Sequence, residues 1–131
     1  MKSAIIDTKT ILIADDNKMF VESLKQLCDF YPDLKCVVFS NGKEVLNNIH
    51  SVMPDFVILD VMMPEMNGIE VCKFIKKDAK LKKTFVLMLS ALGEAKDKKA
   101  GKFAGCDKYM VKPFGPRDVI NVIRENIDKS K

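Results

Sequence analysis

The sequence predicts an α/β domain with a parallel sheet, on three observations. Five short apolar runs rich in strand-favouring residues alternate with five segments of helical periodicity, and right-handed crossovers are what such alternation builds. Four of the five runs stop abruptly at a polar or charged residue. At 131 residues with 47% hydrophobic types, the chain has the length of one domain, enough to bury about two-thirds of its unfolded surface. No internal repeat or low-complexity stretch interrupts the pattern.

Residues 1–9 read as a short extension. From Thr10 the run Ile11-Leu12-Ile13-Ala14 reaches two adjacent acids, Asp15 and Asp16. Asn17 is suited to cap the helix that follows, whose inward positions are Phe20, Leu24, Leu27, Cys28 and Tyr31, with Pro32 closing it. A second strand, Cys36 to Phe39, leads through Asn41-Gly42 into a helix marked by Val45, Leu46, Ile49 and Val52. That helix carries the lone histidine, His50, which reads as a surface or boundary residue because no partner stands near it in sequence.

The third run is the most informative. In DFVILDVMMPEMNG, residues 55–68, four apolar residues from Phe56 to Leu59 deliver one carboxylate, Asp60, to the end of their own strand. A loop stiffened by Pro64 and released at Asn67-Gly68 follows, then a helix with Val71, Cys72, Phe74 and Ile75 on its apolar side. Lys73, Lys76, Lys77, Lys80, Lys82 and Lys83 surround the end of that helix. Without interleaved aromatics they read as a solvated helix terminus whose cations complement the dipole, not as a nucleic-acid patch.

Phe85 to Leu89 form a fourth strand ending at Ser90-Ala91. Residues 94–104 predict a weaker helix with a modest inner face. A short fifth strand, Tyr109 to Val111, ends at Lys112-Pro113, and a last helix starting near Pro116 shows Val119, Ile120, Val122, Ile123 and Ile127. That broad stripe reads first as core.

Composition excludes several classes. Charged residues at 31% and a formal net charge of +4 suit a soluble, cytoplasmic protein and give little support for direct nucleic-acid binding. Cys28, Cys36, Cys72 and Cys106 show no C-x-x-C pair and no histidine at ligand spacing, and they read as reduced packing residues. Neither a signal peptide nor a membrane-spanning run is present. Nucleotide-binding glycine fingerprints are missing as well.

In a parallel sheet the four polar strand ends share one edge, where ligands of open α/β sheets bind. Asp15, Asp16, Asp60, Ser90 and Lys112 therefore converge. Three close carboxylates repel and raise one another's pKa unless a cation neutralises them, and an open site of oxygen ligands favours a hard ion such as Mg2+. A carboxylate can also attack phosphorus to give an acyl phosphate, with positioned positive charge and hydrogen-bond donors supplying the rate.

Taken in order, Asp15-Asp16, Asp60 with MMPEMNG, Ser90-Ala91 and Lys112-Pro113-Phe114 resemble the receiver domain of two-component response regulators, and the likeness covers residues 10–129. The resemblance implies a flavodoxin-like (βα)5 three-layer sandwich with a five-stranded parallel sheet of order 2-1-3-4-5, and a receiver domain over 10–131. It implies that Asp60 accepts a phosphoryl group from a phosphohistidine on a sensor histidine kinase or a histidine phosphotransfer protein. Asp16, Asp60 and the Met62 backbone carbonyl would hold Mg2+, with Asp15 acting through water and Mn2+ as a substitute. Ser90, the Ala91 backbone N–H and Lys112 would bind the phosphoryl group. Tyr109 stands where the family has its switch aromatic, implying that Ser90 and Tyr109 together reshape the face made by the fourth helix, fifth strand and fifth helix. That face would signal to a downstream protein target or output domain, as a monomer or a phosphorylation-dependent dimer.

Met62 and Leu92 place apolar side chains where receivers often orient the hydrolytic water, so self-dephosphorylation is expected to be slow. The expected role is that of a phosphoacceptor and not of a turnover enzyme. Two alternatives stand beside it. One is a receiver fragment of a larger regulator. The other is an aspartate-nucleophile phosphatase, disfavoured because Met62 occupies the place of its second acid.

Overall fold

The computed structural model describes residues 7–63, 66–90, 104–111 and 115–129, with side chains as far as Ile127. Its strands are β1 (Lys9–Ala14), β2 (Leu34–Phe39), β3 (Phe56–Asp60), β4 (Phe85–Ser90) and β5 (Lys108–Val111). The helices among the described residues are α1 (Lys18–Asp29), α2 (Gly42–Val52), α3 (Gly68–Lys77) and α4 (Pro116–Lys129). The helix expected over 94–104 lies outside the described residues except for Ala104, which is helical and buried.

All neighbouring strands are parallel, in the order β2-β1-β3-β4-β5. Strand alternation sorts the apolar residues into two layers. Ile11, Ile13, Phe56, Ile58, Leu87 and Leu89 face α1 and α4, whereas Leu12, Ala14, Val57, Leu59, Val86 and Met88 face α2 and α3. With both faces covered, β1, β3 and β4 read as unbroken apolar runs.

Each of the first three helices begins at an asparagine whose side-chain oxygen accepts a backbone N–H: Asn17 from Phe20, Asn41 from Glu44 and Asn67 from Glu70. Two of these starts demand glycine. A Cβ on Gly68 would lie 2.3 Å from the Asp60 carbonyl oxygen, and one on Gly42 would lie 2.4 Å from the Met66 carbonyl oxygen. The loop after Asp60 is therefore held closely at both sides, against β3 and against the first turn of α2.

Several sequence expectations shift. β2 begins two residues early, because the Leu34 N–H joins the turn by donating to the Tyr31 carbonyl at 3.0 Å and Leu34 and Lys35 already pair with Lys9 and Thr10. α1 ends at Asp29 and not at Pro32, and Val21 joins Leu24 and Cys28 as its buried residues. Phe74, expected on the inner face of α3, is exposed and meets the His50 ring edge-on at 6.0 Å between centroids. His50 has a partner after all, Asp78 at 2.7 Å, across the α2–α3 boundary. Lys76 is not a solvated terminus cation: its ammonium donates to the Thr84 carbonyl and to Asp107, both at 2.7 Å. The α4 stripe is core, with Val119, Ile120, Ile123 and Ile127 buried in the layer shared with α1.

The glycine contacts give a sharp expectation. Alanine normally stabilises a helix relative to glycine, yet Gly68→Ala is expected to cost about 2 kcal/mol or more, since its Cβ meets rigid backbone. Gly115→Ala, whose Cβ would meet only an Asp118 side-chain oxygen at 3.9 Å, is expected to be close to neutral. Chemical denaturation of the two variants measures the contrast.

Candidate functional site

The register of the sheet assembles the site. Ala14 pairs with Leu59, so the next residues along each strand, Asp15 and Asp60, come side by side. Asp60 pairs with Leu89, which sets Ser90 one step further on the neighbouring strand, and Ser90 pairs with Val111. One carboxylate oxygen from each of Asp15, Asp16 and Asp60 lies within 4.8 Å of the others. Asp15 is buried, Asp60 half-buried and Asp16 exposed, so the cluster opens to solvent on the Asp16 side.

Local turns fix two of the acids. The Asn17 backbone N–H donates to Asp15 Oδ1 at 2.8 Å, and the Met62 backbone N–H donates to Asp60 Oδ1 at 3.0 Å. Both are side-chain turns closed two residues on, a habit of aspartate. Behind Asp60, the Val61 N–H donates to the Leu89 carbonyl and the Gly68 N–H to the Val61 carbonyl, at 2.9 and 3.1 Å. The acid thus stands on a braced strand end and not on a loose loop.

Electrostatics make the cluster unfavourable by itself. Burial, and then the negative charge of Asp15, push the Asp60 carboxyl up to about 7; the Met62 N–H opposes this, and Asp16 adds to it. For an acid raised in the folded state, ionisation costs stability as pH rises from the ordinary carboxylate range through the raised value. A cation among the three oxygens removes that cost. The donor set, three carboxylates with no sulfur or imidazole, fits a hard divalent ion.

Among the other expected residues, Ser90 closes β4 and is buried, 2% exposed. Met62 beside Asp60 is 60% exposed, which places an apolar side chain at the mouth of the cluster. Tyr109 pairs with Met88 on β5 and packs on the α2–α3 side of the sheet, and its hydroxyl is buried. Ala91, Leu92, Lys112, Pro113 and Phe114 lie outside the described residues.

Sequence reasoning did not single out Gly68, Gly42 or Met66 as parts of the site's support. Asn41-Gly42 and Asn67-Gly68 carry local signals for a turn into a helix, whereas the close approaches to Met66 and Asp60 are tertiary. No helix among the described residues is long and apolar enough to cross a membrane.

Known proteins agree with this geometry. The family model for the response regulator receiver domain matches residues 11–124. A probable transcriptional regulator, ycf27, of Guillardia theta is 38% identical over 123 residues, covering 91% of this chain and 46% of that protein. The alkaline phosphatase synthesis transcriptional regulatory protein PhoP of Bacillus subtilis is 39% identical over 112 residues, covering 85% and 45%. This chain thus spans about half the length of these relatives. Among solved structures, a putative response regulator from Chloroflexus aurantiacus superposes with a TM-score of 0.80 at 31% identity, covering 90% of this chain and 96% of the other. The receiver domain of Francisella response regulator 1452 does so with a TM-score of 0.81 at 30% identity, covering 95% and 100%. With matched family, sheet order and acidic strand ends, this chain belongs to the response regulator receiver domain family of two-component signalling.

Proposed function

We propose that Asp60 is the phosphoacceptor, and that the chain takes a phosphoryl group from a phosphohistidine on a sensor kinase or a histidine phosphotransfer protein. The observation that carries this reading is the convergence of the Asp15, Asp16 and Asp60 carboxylate oxygens within 4.8 Å at the C-terminal ends of neighbouring strands. In the reaction, an Asp60 oxygen attacks phosphorus as the phosphorus–nitrogen bond breaks, and the imidazole leaves with the electron pair.

Asp16, Asp60 and the Met62 carbonyl are the proposed holders of Mg2+, with Asp15 acting through water and Mn2+ as a substitute. Such an ion supplies charge neutralisation to the transferring oxygens. The chain's own part is to orient: the Met62 N–H holds one Asp60 oxygen and leaves the other to react. Ser90, the Ala91 N–H and Lys112 are assigned to the phosphoryl oxygens.

The proposed switch couples Ser90 to Tyr109. Ser90 and Met88 lie two residues apart on β4 and so share a sheet face, and Tyr109 is the cross-strand partner of Met88 on that same face. Movement of Ser90 toward a phosphoryl group therefore alters the packing beside Tyr109. The readout is a downstream protein or an attached output domain. A stand-alone receiver and a receiver module of a longer regulator share this chemistry.

Three measurements test the proposal. Incubation with acetyl phosphate and Mg2+ is expected to yield stoichiometric acyl phosphate, mapped to Asp60 and lost in Asp60→Asn. Because Met62 is apolar, the label is expected to outlast donor removal by minutes. Continuous phosphate release would instead indicate a phosphatase. Second, Mg2+ at about a hundred times its Kd is expected to add about 2.7 kcal/mol of stability, raising the unfolding temperature by roughly 5–10 °C. Asp15→Asn combined with Asp16→Asn is expected to abolish the rise. Third, Tyr109→Ala is expected to keep full phosphorylation while reducing the difference in partner affinity between phosphorylated and unphosphorylated protein; an unchanged difference would remove Tyr109 from the switch.

A further inference from the structure

Helix α3 is fastened at both ends, and its second fastening lies far from the acidic cluster. At its start the Gly68 N–H donates to the Val61 carbonyl at 3.1 Å, and a Cβ on Gly68 would lie 2.3 Å from the Asp60 carbonyl oxygen. Val71, Cys72 and Ile75 bury the helix against the sheet. In its last turn the Lys76 ammonium, on a side chain only 17% exposed, donates to the Thr84 carbonyl and to Asp107 Oδ2, both at 2.7 Å, and to the Lys82 carbonyl at 3.4 Å. One turn earlier on the same face, the Cys72 thiol donates to the Ala104 carbonyl at 3.5 Å. Gly105, at φ +86°, crosses the Lys76 stem so closely that a Cβ there would lie 3.4 Å from Lys76 Cγ.

Asp107 passes that hold to β5. Its Oδ2 oxygen also accepts the Val86 N–H at 2.8 Å, while the Asp107 N–H donates to the Val86 carbonyl at 2.9 Å. The pairing that follows runs Lys108 with Leu87, Tyr109 with Met88, Met110 with Leu89 and Val111 with Ser90. β5 is an edge strand of four residues, none of whose side chains is fully buried, so its own burial fixes its place weakly and the anchor at its start matters more. An oxygen shared by an ammonium and a backbone N–H is a strong anchor, since charge-assisted hydrogen bonds exceed neutral ones.

We infer that Lys76 is a positioning residue for phosphoryl acceptance: acting through Asp107, it seats β5 so that Val111 stays paired beside Ser90 and the chain enters Lys112 from a fixed strand end. This rests on the assignment of Asp60 as phosphoacceptor and of Ser90 and Lys112 to the phosphoryl oxygens. The ten residues of α3, about 15 Å of helix, thereby hold two parts of the site to one rigid element, the Asp60 strand end and the strand that borders Ser90. The acids do not share this dependence, because β1 and β3 set Asp15 against Asp60. Loss of the clasp therefore separates ion binding from group transfer.

Lys76→Met, which keeps the stem and removes the donor, is compared with wild type using acetyl phosphate as donor at saturating Mg2+. The expected result is a maximal rate of Asp60 phosphorylation lowered roughly tenfold, with the Mg2+ Kd from calorimetry within about twofold of wild type. Amide hydrogen exchange is expected to quicken in β5 and not in β1 or β3. Asp107→Asn, which leaves an acceptor for the Val86 N–H, is expected to act in the same way, the double variant to be no slower than Lys76→Met alone, and Lys76→Arg to restore most of the rate. A natively folded Lys76→Met protein phosphorylated at the wild-type rate would overturn the inference even with faster exchange in β5, for the clasp would then be structural only. So would a loss of Mg2+ affinity matching the loss of rate, or a double variant in which the two losses multiply. Should Lys76→Met lack native far-UV circular dichroism, Asp107→Asn decides by the same rate, affinity and exchange measurements. A wild-type chain that takes no phosphate on Asp60 would remove the phosphoacceptor reading, and this inference with it.

Discussion

Mutual repulsion among three carboxylates is the constraint on which this molecule turns. Isolated in solution, such acids would separate. Here they are held by strands whose positions are set elsewhere, since Ile11, Leu12, Ile13 and Ala14 on β1 and Val57, Ile58 and Leu59 on β3 are fully buried. A one-residue slip between these strands would exchange the apolar residues of the two sheet faces. The same register that fills both core layers therefore forces Asp15 beside Asp60, and core packing sustains the electrostatic cost of the site.

The second requirement is direction. A clustered acid with freely rotating oxygens would be a poor nucleophile and a poor ligand, because orientation must be set before reaction. Backbone N–H groups of Asn17 and Met62 each occupy one oxygen of their acid, and Gly68 lets α3 approach the Asp60 backbone more closely than any other residue would allow. Gly42 does the same for Met66 on the far side of the loop. Two absent side chains, as much as any present ones, position the phosphoacceptor candidate.

Much of this was legible in the sequence because the determining signals are local. Apolar runs covered on both faces announce parallel strands, and an acid at the end of such a run stands out against them. Asn17, Asn41 and Asn67 cap helices by contacts three residues long. What escaped were the contacts that join distant segments. Phe74 has helical spacing suited to burial but looks outward to His50, and Lys76 leaves a basic run to neutralise Asp107, 31 residues away.

The distribution of constraint also decides where a signal can leave the site. β1 and β3 are central and close-packed, and movement there would open voids in both core layers, which is costly in interiors of native density. β5 is an edge strand of four residues whose described side chains are at most half-buried. Ser90 belongs to β4, between the rigid centre and that freer edge, and it shares a sheet face with Tyr109. A displacement of Ser90 thus meets resistance on the β3 side and compliance on the β5 side. In the proposed switch, the fold's own asymmetry would direct a rearrangement begun at the acidic cluster outward through β5, past Tyr109.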